Sequence, residues 1–248
     1  LSSSNSKEIQ RAVDTATDDI AAFWEQEVPV PPLAIWKRCQ KSARDMALEA
    51  LMFQDNPLSG QCSWPEVPFG KANFSEDETR ELPWDPCQKV HIPGTDICIY
   101  GTIDRLDLSR EEQVARVTDY KTGKVPKKPA EYQLRGGSEL QRCLYAYAVH
   151  ALVGEHLRVD ARLAYPREGG GIFYLEDPES QLDLLQSYLM AAKKSIQRGQ
   201  NFPGPDAESD YNDFTFLLPG NAKGQYFRTK RKLVEQALED IKDIWEAK

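Results

Sequence analysis

Apolar residues recur at helical spacing over residues 6–27 and 33–54, and the segment Val28-Pro-Val-Pro-Pro32 divides the two runs. Proline cannot continue a helix, so two N-terminal helices are expected, with Trp24, Trp36 and Met46 packed in a core. Residues 55–95 are punctuated by prolines and read as loops with two short strands. The pattern then changes period. Residues 96–108 and 113–121 are rich in β-branched and aromatic residues and are separated by the polar stretch Ser109-Arg-Glu-Glu112, which predicts a strand pair. A break at Gly136-Gly137 and a candidate N-cap at Ser138 introduce a helix from Leu140 to Val153. Its buried stripe is expected at Leu140, Leu144, Tyr147, Ala151 and Leu152. A second hairpin is expected from 158–165 and 171–176, turning through residues 167–170. Helices follow at 179–199 and 230–247, the last with Leu233, Ala237, Ile241, Ile244 and Trp245 on its apolar side, and residues 200–228 read as an irregular loop. Helices mixed with strands in this order predict an α/β fold: a mixed central sheet flanked by helices, with an additional N-terminal helical layer. Residues 1–60 form the helical N-terminal portion and 61–248 the core with its C-terminal helices, as one expected domain.

The first hairpin concentrates the candidate chemistry. If it turns about Glu111-Glu112, residues whose numbers sum to 223 face one another. Asp104 then stands opposite Asp119, and Asp107 opposite Arg116, a favourable cross-strand charge pair. Side chains alternate along a strand, so Asp119 and Lys121 share a face while Tyr120 points away. Charged residues on neighbouring strands can be no more than a solvated salt-bridge ladder of little energetic consequence. Two adjacent carboxylates repel, however, unless a cation or proton intervenes. Gly101 precedes Asp104 in its strand, where a missing side chain permits close approach of backbone or ligand. On the following helix Gln141 and Tyr145 lie four residues apart and are neighbours. Their amide and phenol can hydrogen-bond a phosphate or a metal-bound water; read alone, Tyr145 serves equally as a core aromatic. Two carboxylates and an ammonium brought together at the end of this hairpin can hold a divalent metal.

Composition narrows the setting. The chain has 248 residues, 40% of them hydrophobic, enough to bury a sizeable core. It has no apolar run of membrane-spanning length, and Leu1-Ser-Ser-Ser lacks the features of a signal peptide. Five scattered cysteines fit reduced thiols in a cytoplasmic protein better than a disulfide framework. The net charge of −8 is unevenly spread. Residues 1–30 hold six acidic and two basic side chains, whereas 121–137 hold Lys121, Lys124, Lys127, Lys128 and Arg135 against Glu131 alone. That basic loop leaves the strand bearing Asp119 and Lys121, where it can track a phosphate backbone. Arg228, Lys230, Arg231 and Lys232 form a second basic cluster. Thr122-Gly-Lys124 is not a nucleotide-binding loop, because Thr118 and Val125 occupy the places that such a loop gives to Gly and to Ser or Thr.

Over roughly residues 60–180 the chain resembles the RecB-like branch of the PD-(D/E)XK nuclease superfamily. The likeness rests on Glu66-Val-Pro-Phe69, Gly101-Thr-Ile-Asp-Arg-Leu-Asp107, Asp119-Tyr-Lys-Thr-Gly-Lys124 and Gln141-Arg-Cys-Leu-Tyr-Ala146. It extends to the C-terminal nuclease domain of AddB-type helicase–nuclease subunits. The resemblance implies a restriction-endonuclease-like fold and a Mg²⁺- or Mn²⁺-dependent DNA exonuclease of double-strand-break repair and recombination, working with a helicase–nuclease partner subunit or a fused helicase-like domain. It makes Asp104 and Asp119 metal ligands, with the Tyr120 carbonyl and Glu66 as further ligands. Lys121 becomes the catalytic lysine, and Gln141 and Tyr145 residues that act near the site.

Two departures stand out. Relatives carry a histidine ligand on a helix well upstream, whereas the histidines here are His91, His150 and His156; the chain is therefore expected to be part of a longer protein. Many relatives also hold an iron–sulfur cluster through one early and three late cysteines. Here Cys39, Cys62, Cys87, Cys98 and Cys143 include none after residue 143, and no cluster is expected. A catalytically inactive nuclease-fold module that guides DNA or braces a partner is the alternative class.

Overall fold

The computed structural model describes residues 3–52, 57–71, 81–129, 133–137, 139–154, 156–167, 169–200 and 227–246, without the side chains of 3–5, 135 and 227. These residues form two compact units woven from alternating stretches of chain. The first takes 1–67, 102–130 and 154–174, and the second takes 68–101, 131–153 and 175–248.

In the first unit, helices α1 (Ser3–Glu27) and α2 (Leu33–Met52) flank the proline segment as expected. They form an antiparallel pair stitched by Arg44, whose Nε lies 3.0 Å from Asp14. Trp24 and Trp36 stack on each other with ring centroids 6.5 Å apart. Trp24 nevertheless remains half exposed and Met46 only partly buried, so neither is the core residue expected from the sequence. The apolar stripes of α1 and α2 face a shared groove in which the Trp24 ring stays open to solvent.

The sheet is mixed, with strand order β1-β4-β5-β6-β7: β1 is Cys62–Phe69, β4 Gly101–Ser109, β5 Val114–Tyr120, β6 Arg158–Tyr165 and β7 Gly171–Tyr174. Pro65 and Pro68 explain why β1 lies at the edge, since a proline cannot complete the hydrogen-bond ladder of a central strand. β4 and β5 are antiparallel with Asp107 opposite Arg116 and Arg105 opposite Thr118, the register set by the alternation. β6 runs parallel to β5, and β7 returns antiparallel through the expected second hairpin, whose residue 168 lies outside the described part. Leu106, Val117, Ala115 and Leu163 are buried on this sheet. The result is an α/β fold with a five-stranded mixed sheet, consistent with restriction-endonuclease-like architecture.

The second unit holds the two-residue strands β2 (Val90–His91) and β3 (Cys98–Ile99), which pair with each other, and the helices α3 (Gln141–Val153) and α4 (Pro178–Gln197). The expected strand from residue 96 is therefore broken at Tyr100, with 98–99 pairing separately. The expected final helix is divided into α5 (Phe227–Ala237), a tight turn and α6 (Lys242–Glu246). It buries Val234 and Leu238 rather than Leu233, which is 59% exposed.

Helix α3 also turns a different face inward. Arg142, Cys143, Ala146, Ala148 and Val149 are buried, while Leu140, Leu144, Tyr147 and Leu152 are only partly buried and Ala151 is exposed. The cause is Glu139, whose carboxylate lies 2.8 Å from Arg142 Nε and accepts the Arg142 main-chain N–H at 3.1 Å. A charge neutralised by its neighbour can go inside, and the small side chains on the same face allow close packing. Ser138 and residues 201–226, expected as the N-cap and the long loop, lie outside the described residues.

Candidate active site

Asp104 and Asp119 end the paired part of the hairpin. Arg105 opposite Thr118 is the last ladder pair in that direction, and the next residues along the two strands are Asp104 and Asp119. There Asp104 takes over from the main chain: its Oδ2 accepts the Tyr120 N–H at 2.8 Å. The carboxylate thereby holds the end of β5 against β4. Lys121 continues β5 by donating its main-chain N–H to the Ala164 carbonyl on β6 at 2.8 Å.

The side chains match the alternation. Lys121 Nζ lies 2.8 Å from Asp119 Oδ2. Asp119 is almost sealed, its side chain 3% exposed, whereas the Lys121 side chain is 32% exposed. An ion pair with one partner anchored and the other reaching solvent keeps its cation available to a ligand. Asp104 is half-buried, and Tyr120 presents its ring to the opposite face of the sheet.

The other sequence-derived candidates are distributed as follows. Glu66 is exposed on β1 with φ +49°, a left-handed conformation that costs an L-residue about 1–2 kcal/mol. Among the described residues no three His, Cys, Asp or Glu side chains gather into a metal-binding group, so Glu66 makes no ready trio with the two aspartates. Lys124, Lys127 and Lys128 are exposed on the segment that leaves β5. Arg135 belongs to a one-turn 3₁₀ helix, Arg135–Gly137, and its side chain lies outside the described part. Gln141 and Tyr145 belong to the second unit, where Gln141 Nε2 lies 3.5 Å from the Tyr145 hydroxyl. The Tyr145 ring meets Phe69 edge to face at 6.1 Å. Gly101 is explained by the same cluster, because a Cβ there would come within 3.0 Å of the Phe69 ring.

A reading of motifs alone passes over the far face of the hairpin. Arg105, Asp107, Thr118 and Tyr120 occupy it, joined by Arg162 from β6. Asp107, Thr118 and Arg162 are all buried there. Arg105 Nε lies 2.9 Å from Asp107 Oδ1, which also accepts the Ser63 hydroxyl at 2.5 Å. Arg116 Nη2 lies 3.6 Å from Asp160 on β6. Burial alone would lower the Arg105 pKa, but Asp107 and the Tyr120 phenol together hold it above the usual value. The signal available in the sequence was the charges Arg105, Asp107, Arg116, Asp160 and Arg162, which alternate with apolar neighbours such as Leu106, Val117 and Ala161.

Two carboxylates and a main-chain carbonyl form an all-oxygen donor set, the chemistry a hard divalent cation prefers. The sequence profile of the PD-(D/E)XK nuclease superfamily matches residues 4–209. No curated protein matches the chain. With the acid–acid–lysine arrangement on the hairpin and a profile match over most of its length, the chain belongs to the PD-(D/E)XK nuclease superfamily.

Proposed function

We propose that the chain is a metal-dependent DNA exonuclease domain that hydrolyses phosphodiester bonds as part of an AddB/RecB-type helicase–nuclease in double-strand-break repair and recombination. The observation that carries the reading is the strand end itself: Asp104 bonded to the Tyr120 N–H, and Asp119 paired with a partly exposed Lys121. Asp104, Asp119 and the Tyr120 carbonyl would hold Mg²⁺ or Mn²⁺, and Glu66 is the candidate for a further carboxylate. The cation, when bound, supplies Lewis-acid polarisation of the phosphate and a more acidic water. Lys121 holds its ammonium where negative charge develops on the phosphate, and its pairing with Asp119 fixes that position before substrate arrives. Gln141 and Tyr145 are the proposed hydrogen-bond donors to phosphate or water. Lys124, Lys127, Lys128 and Arg135 are the proposed backbone contacts.

Asp119→Ala removes a buried carboxylate and leaves its partner Lys121 able to reach solvent, so no charge is stranded inside the fold. Cleavage of linear and circular DNA in Mg²⁺, Mn²⁺ or chelator tests the reading. Linear DNA should be degraded from its ends, circular DNA spared, and chelator should stop the reaction. Asp119→Ala should abolish cleavage while the circular dichroism spectrum stays unchanged. Full activity in Asp119→Ala, or cleavage in chelator, would refute the assignment. DNA binding without cutting would point to the guiding module.

A further inference from the structure

Asp119 lies one residue from the end of β5, where strands fray and a ligand's orientation is lost. Its two neighbours, Thr118 and Tyr120, point to the opposite face of the sheet, and each meets an arginine there. Arg162 Nε donates to Thr118 Oγ1 at 2.7 Å. The same guanidinium reaches the Tyr174 hydroxyl at 3.3 Å through Nη1 and stacks 6.0 Å from that ring. Arg105 hydrogen-bonds the Tyr120 phenol, and its own place is set by Asp107 at 2.9 Å. Asp107 in turn is 2% exposed and held by Ser63. The anchors arise on β1, β4, β6 and β7, so the end of β5 is tied to all the other strands of its sheet.

We propose that Arg105 and Arg162 are positioning residues that lock the main chain on both sides of Asp119, fixing its carboxylate and the Tyr120 carbonyl for a divalent cation. The inference rests on the metal-dependent reading above and adds residues that touch neither metal nor DNA. The physical reason is preorganisation: a ligand already ordered by a second layer of hydrogen bonds loses less entropy on binding. Removing such outer partners typically weakens metal affinity about 10- to 100-fold. Apolar packing of equal volume would stabilise this face as well, but it would leave the last residues of β5 free to slide and rotate. Hydrogen bonds to Thr118 and Tyr120 impose direction.

The test measures Mn²⁺ binding to the full chain through the paramagnetic resonance signal of free Mn²⁺, which requires no turnover. Tyr120→Phe removes one oxygen and leaves the ring, and Arg162→Met keeps the apolar length of the side chain. Each should weaken Mn²⁺ binding by about tenfold, with Tyr120→Phe leaving the melting temperature unchanged; Arg105→Lys should lose less than Arg105→Gln. Variants that melt earlier yet bind Mn²⁺ as tightly as the unaltered protein would overturn the proposal and reduce the network to structural packing. Should Arg162→Met fail to fold, Tyr120→Phe decides the question alone. An unaltered protein that binds Mn²⁺ but cuts no DNA refutes the nuclease reading while this measurement still stands. One that binds no Mn²⁺ overturns the positioning role directly.

Discussion

Two ion pairs of equal length sit in very different surroundings. Arg142–Glu139 and Lys121–Asp119 both span 2.8 Å, but the first has side chains 0% and 6% exposed and the second 32% and 3%. The sealed pair opens helix α3 and lets a charged residue face inward. The open pair ends β5 and leaves its ammonium in contact with solvent. Distance alone thus says little about what an ion pair is for. Burial separates a pair that holds a helix in place from one that can act on something arriving from outside.

Breaking each pair separates the two roles. The largest effect is expected from Glu139→Ala, which strands a buried guanidinium and removes the cap on Arg142 N–H; urea unfolding should show a loss of about 3–5 kcal/mol. Lys121→Ala removes a cation that is 32% exposed but leaves the sealed Asp119 carboxylate without it, so a loss smaller than that of Glu139→Ala is expected. The rate of DNA cleavage should instead fall about 10²- to 10³-fold, comparable to the loss of one preorganised donor at a developing anion. Large destabilisation by Lys121→Ala, or none by Glu139→Ala, would erase the contrast.

A smaller effect sharpens the comparison without altering the protein. Cys143 lies beside the sealed pair, and burial, reinforced by Glu139, pushes its thiol up to about 12. At pH 8 it is therefore protonated and a poor nucleophile. Cys39, Cys62, Cys87 and Cys98 are exposed free thiols. A disulfide reagent at pH 8 should titrate those four in the native protein and reach Cys143 only on unfolding. Rapid modification of all five would mean that the α3 face is open.

The hairpin was readable because alternation has a period of two. A turn placed at Glu111-Glu112 set Asp107 opposite Arg116, and a shift of one residue would have turned Leu106 and Val117 to the wrong face. The same reading put Asp119 and Lys121 on one side, as their 2.8 Å contact bears out. Helix α3 resisted that logic. Its sequence is apolar around most of its circumference, so the expected stripe through Leu140, Leu144 and Tyr147 had a close rival, and the choice fell to Ala146, Ala148 and the Glu139–Arg142 pair. Trp24 misled for a related reason: a large aromatic ring signals burial only if another element covers it, and half of this one remains exposed.

Local rules of alternation, proline exclusion and charge order were sufficient to set the hairpin pairing, the helical N-terminal segment and the pairing of Asp119 with Lys121, because each depends on residues close in the chain or directly opposite in one hairpin. The parallel placement of β6, the inward face of α3 and the arginines that tie down both neighbours of Asp119 were decided only by tertiary structure. The first depends on pairing between residues 44 positions apart, as Arg162 with Thr118, and the others on which polar groups are buried together, which chain connectivity alone does not encode.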